Sequence, residues 1–299
     1  MQKILVRTLG GVFALFLTLL VAGAWYFSSL LRQAGPHECR DDHYVFCTDP
    51  SEVGLKFENV KFESRDGLQL AGWYIPGKTD APAVLMVHGR NATRREALRY
   101  APSLQKAGFN LLLIDLRNCG ESEKSFISMG YYEQLDALAG VDYLIQQKGM
   151  TSVGIFGFSM GGVTSILAMA DDPRIKAGVF EASFDSLTRI LADRAGIDYG
   201  LPEWPLVPLV ELFYGWRGDF DTDAIRPVDR IDDIAPRPVF IIHGTADKTV
   251  PYHHGESLFA AAKEPKQFWT VPDGQHTRAW NANKEKAETD IPAFFTRYL

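Results

Sequence analysis

The segment Val153–Gly162 reads Val-Gly-Ile-Phe-Gly-Phe-Ser-Met-Gly-Gly, an apolar run that stops at a serine between glycines in the pattern G-x-S-x-G. Thr164 to Ala170 then has helical composition, so the order predicts a strand, a sharp turn and a helix, with the Ser159 hydroxyl at the apex. In that arrangement Oγ projects from the sheet edge beside the positive end of the following helix. Small residues at Gly157 and Gly161 leave room for a strained backbone. A serine hydroxyl is a weak nucleophile near neutral pH. It needs a base within hydrogen-bond reach, and that base needs a carboxylate to orient it.

Seven histidines are available. His37 and His43 fall in a stretch of linker composition. His88 and His243 each precede glycine at the end of an apolar run, where they shape the backbone or bond locally. His253 and His254 open a helical pattern after Val250-Pro251 and read as surface residues. His276 remains, in the polar turn Pro272-Asp-Gly-Gln-His-Thr277 between the last strand and the last helix. Asp247, in His243-Gly-Thr-Ala-Asp-Lys-Thr-Val-Pro251, lies directly past an apolar run; an Asx turn before Pro251 is its plain alternative. Asp185 follows another such run and competes for the same histidine, whereas Asp273 suits the turn itself. The residues alone leave Asp247 and Asp185 both open.

The elements that must position these groups have a distinct texture. Lys56–Ser64 and Leu68–Ile75 alternate around the turn signal Arg65-Asp66-Gly67 and predict a hairpin. Short unbroken apolar runs follow at 83–87, 110–116, 153–158, 177–180 and 238–242, with a last strand at 268–271. Such runs suit strands buried on both faces of a parallel sheet. Helical patterns lie between and after them, at about 94–107, 131–147, 163–171, 252–262 and 281–298. The class is therefore α/β, a mostly parallel doubly wound sheet with ligands beyond the carboxyl ends of its strands. From Ser183 to Pro236 no strand is evident, and Leu201–Trp216 is apolar, aromatic and rich in proline. An unstructured loop of that length is unusual, so a helical lid inserted at about 184–236 is expected. Its aromatic residues either pack onto the body or line a pocket, and a third reading dips them into a membrane.

That third reading depends on the N-terminus. Thr8–Leu31 carries no charge and is long enough to span a hydrocarbon core, with Trp25 and Tyr26 where an interfacial belt would fall. Ala22-Gly23-Ala24 resembles a signal-peptide cleavage site, but apolarity continues beyond it through Leu31, which favours an uncleaved anchor. Lys3 and Arg7 before the span, against Arg32 after it, favour an N-terminus-inside orientation that places the body outside the cytoplasm. The expected organisation is thus an anchor at 1–31, a linker at 32–54 and one globular domain at 55–299. In an extracytoplasmic linker Cys39 and Cys47 suit a disulfide, the alternative being two free thiols; Cys119 stands apart as a small half-buried residue. A net charge of −6 without a long basic run disfavours a nucleic-acid partner. No Cys/His cluster has zinc-ligand spacing and Gly157–Gly162 lacks a P-loop lysine, so neither metal nor cofactor is expected.

Five features, in order along the chain, resemble the α/β-hydrolase superfamily: His88-Gly89, Asp115-Leu-Arg-Asn-Cys-Gly-Glu-Ser122, Gly157-Phe-Ser-Met-Gly161, His243-Gly-Thr-Ala-Asp247 and His276. The likeness runs from about Phe57 to Leu299 and is nearest to the serine-hydrolase branch of esterases, lipases and serine aminopeptidase-like proteins. It implies a Ser159–His276–Asp247 triad, with an oxyanion hole from the backbone N–H groups of Met160 and Arg90. It also implies cleavage of a carboxylic ester, thioester or similar acyl bond through an acyl-serine intermediate, on a small-molecule or lipid substrate. The serine at the nucleophile position sets aside the epoxide hydrolases and dehalogenases of this fold, which use aspartate there. Peptidase or acyltransferase chemistry on the same triad, and a catalytically silent binding or scaffold protein, are the alternatives. Arg90, with Arg94 and Arg95, would favour an anionic substrate; a solvated arginine cluster is the alternative. Asn91-Ala92-Thr93 matches a glycosylation acceptor, but a glycan there would obstruct the pocket.

Overall fold

The computed structural model describes residues 2–35, 39 and 45–299; His37 and His43 lie outside them. In chain order the elements are α1 (Gln2–Leu31), β1 (Glu58–Glu63), β2 (Gln69–Ile75), β3 (Ala83–Val87), α2 (Ala101–Ala107), β4 (Asn110–Asp115), α3 (Glu133–Gln146), β5 (Val153–Phe158), α4 (Met160–Asp171), β6 (Ile175–Glu181), α5 (Leu187–Tyr199), α6 (Glu203–Gly218), β7 (Val239–Gly244), α7 (His253–Ala261), β8 (Lys266–Val271), α8 (Ala279–Ala282) and α9 (Lys284–Tyr298).

The strands form one sheet in the order β1-β2-β4-β3-β5-β6-β7-β8. β1, β2 and β4 pair antiparallel, and every other neighbouring pair is parallel. The unbroken apolar runs occupy its interior because both faces are covered. Along β3, Leu85 and Val87 join one core with α3, α4 and α7, while Val84 and Met86 join the other with α2 and α9. Parallel strands joined by helices bring the carboxyl ends of β3, β5, β7 and β8 to one edge, where Gly89, Ser159, Asp247 and His276 follow.

Local chemistry divides two of the expected helices. The 94–107 pattern becomes 3-10 turns at Arg94–Arg99 and then α2, because Pro102 supplies no N–H and opens a new first turn. The final pattern is split at Asn283, whose side chain accepts from the Lys286 N–H and caps α9. The expected half-buried Cys119 is fully enclosed, and burial raises its thiol pKa. Cys39 and Cys47 are joined in a disulfide with Cα atoms 5.5 Å apart.

Within Val6–Leu31, α1 holds an 18-residue stretch of mean hydropathy 1.9, long and apolar enough to cross a membrane or to serve as a signal sequence. Its described side chains are exposed as far as Leu19. From there Leu20, Ala24, Phe27 and Leu31, spaced four, three and four residues apart, form a stripe against Leu206, Leu209, Val210 and Phe213 of α6.

Candidate active site

Ser159 sits between β5 and α4 with φ 52° and ψ −119°, a left-handed and otherwise unfavourable backbone held by its flanks. Its N–H donates to the Glu181 carbonyl at 2.8 Å, fastening the turn to β6. A Cβ at Gly157 would meet the Gly161 carbonyl oxygen at 2.3 Å, and one at Gly161 would meet that of Val87 at 2.2 Å. Glycine at both positions lets α4 start immediately after the serine, so its positive end faces the hydroxyl.

His276 Nε2 lies 2.9 Å from Ser159 Oγ, and His276 Nδ1 lies 2.7 Å from Asp247 Oδ2. Asp247 Oδ1 accepts from the N–H groups of Thr249 (2.8 Å) and Val250 (2.9 Å), which fixes the other oxygen on the imidazole. With Nδ1 carrying the proton, Nε2 is an acceptor for the serine hydroxyl. A hydroxyl, imidazole and buried carboxylate in this order can pass a proton and hold the charge that results. His243 lies beneath: Nε2–H donates to the Val250 carbonyl at 2.8 Å, and burial lowers its pKa to about 4, so it is a neutral prop for the Asp247 loop.

Arg90 and Met160 line the same cavity as Ser159 and His276, and among the described residues neither backbone N–H has an acceptor. A Cβ on Gly89 would lie 3.1 Å from the Ser159 Cβ, which shows how closely that loop approaches. The Arg90 guanidinium is engaged within the protein: Nη2 donates to the Leu30 carbonyl at 2.7 Å, at the end of α1. Arg94 is buried, pairs with Glu121 at 2.8 Å and stacks on Trp73, and Arg95 Nε donates to the Thr48 carbonyl. The expected cationic cluster is therefore neither a solvated face nor an anion clamp; each side chain ties a loop to the body. Asn91 Oδ1 accepts from the Gly35 N–H at 2.7 Å, joining the same loop to the segment after α1.

Asp185 does not reach His276. It bonds His254 Nδ1 (2.9 Å) and Arg189 (2.5 Å); against burial, which raises it, these partners hold its carboxyl down to about 2. His254, expected at the surface, is completely buried because α5 folds over α7 and brings Asp193 to 2.9 Å from its Nε2. Asp193, His253 and His254 converge within 4.8 Å, a ligand-like spacing that the sequence did not signal. His254, set between the carboxylates of Asp185 and Asp193, ties the insertion to the body.

Sequence reasoning missed a buried polar group under the site. Glu96 Oε2 accepts from the Gly89 N–H at 2.7 Å, and Arg99 stacks on Phe158. Glu181 Oε2 accepts from Tyr100 Oη (2.8 Å) and Oε1 from the Ala279 N–H (3.0 Å). Burial raises the Glu181 pKa. One network thus braces the Gly89 loop, the serine turn and the segment after His276. The only sequence signal was a carboxylate ending the apolar run of β6.

The cavity, ≈ 490 Å³, is walled mostly by apolar side chains: Ile190, Leu191 and Tyr199 of α5, Leu206, Val207 and Val210 of α6, and Phe27, Leu30 and Leu31 of α1.

Residues 96–299 match the prolyl oligopeptidase family. The uncharacterized protein YqkD of Bacillus subtilis is 28% identical over 234 residues, covering 76% of this chain and 75% of its own. The uncharacterized protein Rv2307c of Mycobacterium tuberculosis is 30% identical over 223 residues, covering 73% and 72%. Among solved structures, the Pyrococcus furiosus esterase Pf2001 superposes with a TM-score of 0.72 at 25% identity, over 89% of this chain and 98% of its own.

Proposed function

Because the chain belongs to the prolyl oligopeptidase family and has the α/β-hydrolase fold, we propose that it is a serine hydrolase cleaving a carboxylic ester or similar acyl bond through an acyl-Ser159 intermediate. The observation that carries this reading is the Ser159–His276–Asp247 relay, 2.9 Å and 2.7 Å long, at the floor of an apolar cavity. Ser159 Oγ attacks the acyl carbon as His276 Nε2 takes its proton. The N–H groups of Met160 and Arg90 hold the oxyanion. His276 returns the proton to the leaving alcohol, and water repeats the sequence to free the acid and the serine.

Ester cleavage is preferred over peptide cleavage for two reasons. The walls described above offer apolar surface rather than a row of polar groups for a peptide backbone, and a structural relative is an esterase. We assign α1 as a retained single-pass anchor with the catalytic body outside the cytoplasm. Its support is that α1 continues past the Ala22-Gly23-Ala24 site into the stripe packed on α6, and that the Cys39–Cys47 disulfide suits an oxidising compartment. Hydrolysis of acyl esters of graded chain length, set against acyl-peptide amides and with Ser159→Ala as control, tests the reading. Ester turnover that vanishes in the variant is expected; amide turnover exceeding ester turnover would make it a peptidase.

A further inference from the structure

The outer surface of the insertion carries large apolar side chains in the open. Trp204, Leu212 and Trp216 are 77%, 61% and 72% exposed, with Ile197 and Tyr199 beside them. A patch of this kind marks an interaction surface, and its placement on α1 identifies the partner. Trp25 of α1 meets Phe213 and Trp216 at ring-centroid distances of 5.6 and 6.4 Å, and Phe27 meets Tyr199 at 4.9 Å.

The length of α1 then decides where this surface lies. Its uncovered part within the span runs from Val6 to Leu19, about 21 Å of helix at 1.5 Å per residue. A hydrocarbon core is about 30 Å thick, which needs about 20 residues and brings the far boundary to Trp25. Because the charged Arg7 holds the other end of the helix at the headgroups, the missing length of about 9 Å comes from the turns of α1 packed on α6. With α1 as the retained anchor assigned above, the outer face of α6 cannot stand clear of the bilayer. It lies at the hydrocarbon–headgroup boundary, where tryptophan is favoured. Arg217 fits that level: it stacks over Trp25 at 4.0 Å and donates to the hydroxyls of Ser28 (2.9 Å) and Ser29 (2.7 Å).

Those same turns of α1 form part of the cavity. Phe27, Leu30 and Leu31 line it together with Tyr199, Leu206 and Val210. We propose that the substrate is an acyl ester of a bilayer lipid, whose chain leaves the membrane along the last turns of α1 and seats its ester at Ser159. This rests on the serine-hydrolase reading above. The Ser159 Oγ–acyl bond forms as the ester C–O bond breaks. The deacylated lipid alcohol leaves with the proton from His276, and water then releases the free fatty acid. Water is the sole co-reactant.

The test uses the full-length protein in phosphatidylcholine–phosphatidylglycerol vesicles carrying a fluorogenic long-chain acyl ester, with p-nitrophenyl butyrate as the soluble comparison. In the double variant Trp204→Ser/Trp216→Ser, hydrolysis of the vesicle ester is expected to fall at least tenfold while butyrate hydrolysis changes less than twofold. Quenching of tryptophan fluorescence by lipids brominated on their acyl chains should fall in parallel. Unchanged vesicle hydrolysis would overturn the proposal, as would equal losses on both esters repeated in Leu212→Ser. Efficient disulfide cross-linking between copies carrying Trp216→Cys would overturn it in favour of a second copy covering the face. Failure of a fluorophosphonate to label Ser159 would instead remove the hydrolase reading, whereas the quenching result reports on the membrane face alone.

Discussion

Replacing Asp247 by asparagine keeps the shape of the site and reverses its proton order. Oδ1 is held by two backbone N–H donors, those of Thr249 and Val250. The amide oxygen of asparagine must take that place, because an NH2 group there would face two donors and leave both unpaired. The NH2 then occupies the Oδ2 position, 2.7 Å from His276 Nδ1, and donates to it. His276 is left with its proton on Nε2, pointing at Ser159 Oγ, and cannot accept the serine proton. The same change of tautomer in a serine-protease triad costs about ten-thousand-fold in turnover, equivalent to about 5.5 kcal/mol of transition-state stabilisation. Asp247→Asn should therefore lower kcat for a short acyl ester by about that factor with KM nearly unchanged. Its melting temperature should stay within a few degrees of wild type, since both loop hydrogen bonds survive. Steady-state kinetics beside a thermal melt decide the matter. Turnover within tenfold of wild type would refute the relay as the working geometry.

Gly161→Ala places a methyl 2.2 Å from the Val87 carbonyl oxygen, so α4 must shift from β3; a loss of about 3 kcal/mol, or about 10 °C in melting temperature, is expected by calorimetry. Tyr100→Phe removes the Oη donor from the buried Glu181 carboxylate. It should cost about 2 kcal/mol in urea unfolding. His243 is neutral in the folded state down to about pH 4 but protonates near 6.5 when unfolded. Between those values the unfolded chain binds more protons, so stability falls as pH falls, by up to about 3 kcal/mol. Urea midpoints at pH 7 and pH 4.5 measure it, and His243→Gln should flatten the slope.

Much of the fold was legible because its determinants are local. The apolar runs of β3 to β7 announce strands buried on both faces, and the glycines around Ser159 announce a turn that tolerates no side chain. The chain order Ser159, Asp247, His276 places each group after its strand, which the parallel topology turns into proximity. What escaped the sequence depends on partners far along the chain. His254 reads as a surface residue until α5 brings Asp185 and Asp193 onto it. Glu96, Arg99 and Glu181 read as ordinary charges, yet they are buried because each answers another. Arg90 looks like an anion hook, and only the fold shows that the end of α1 accepts its guanidinium. The stripe Leu20, Ala24, Phe27 and Leu31 is invisible within a helix that is apolar all round, since nothing in its pattern separates the face that meets α6 from the rest.

Covalent labelling tests the central claim most directly. The full-length protein, treated with a fluorophosphonate and digested, should yield a single adduct on the peptide containing Ser159, slowed in Asp247→Asn and absent in Ser159→Ala. Labelling that persists in Ser159→Ala, or a wild-type protein that takes no label, would contradict the assignment of that serine as the nucleophile.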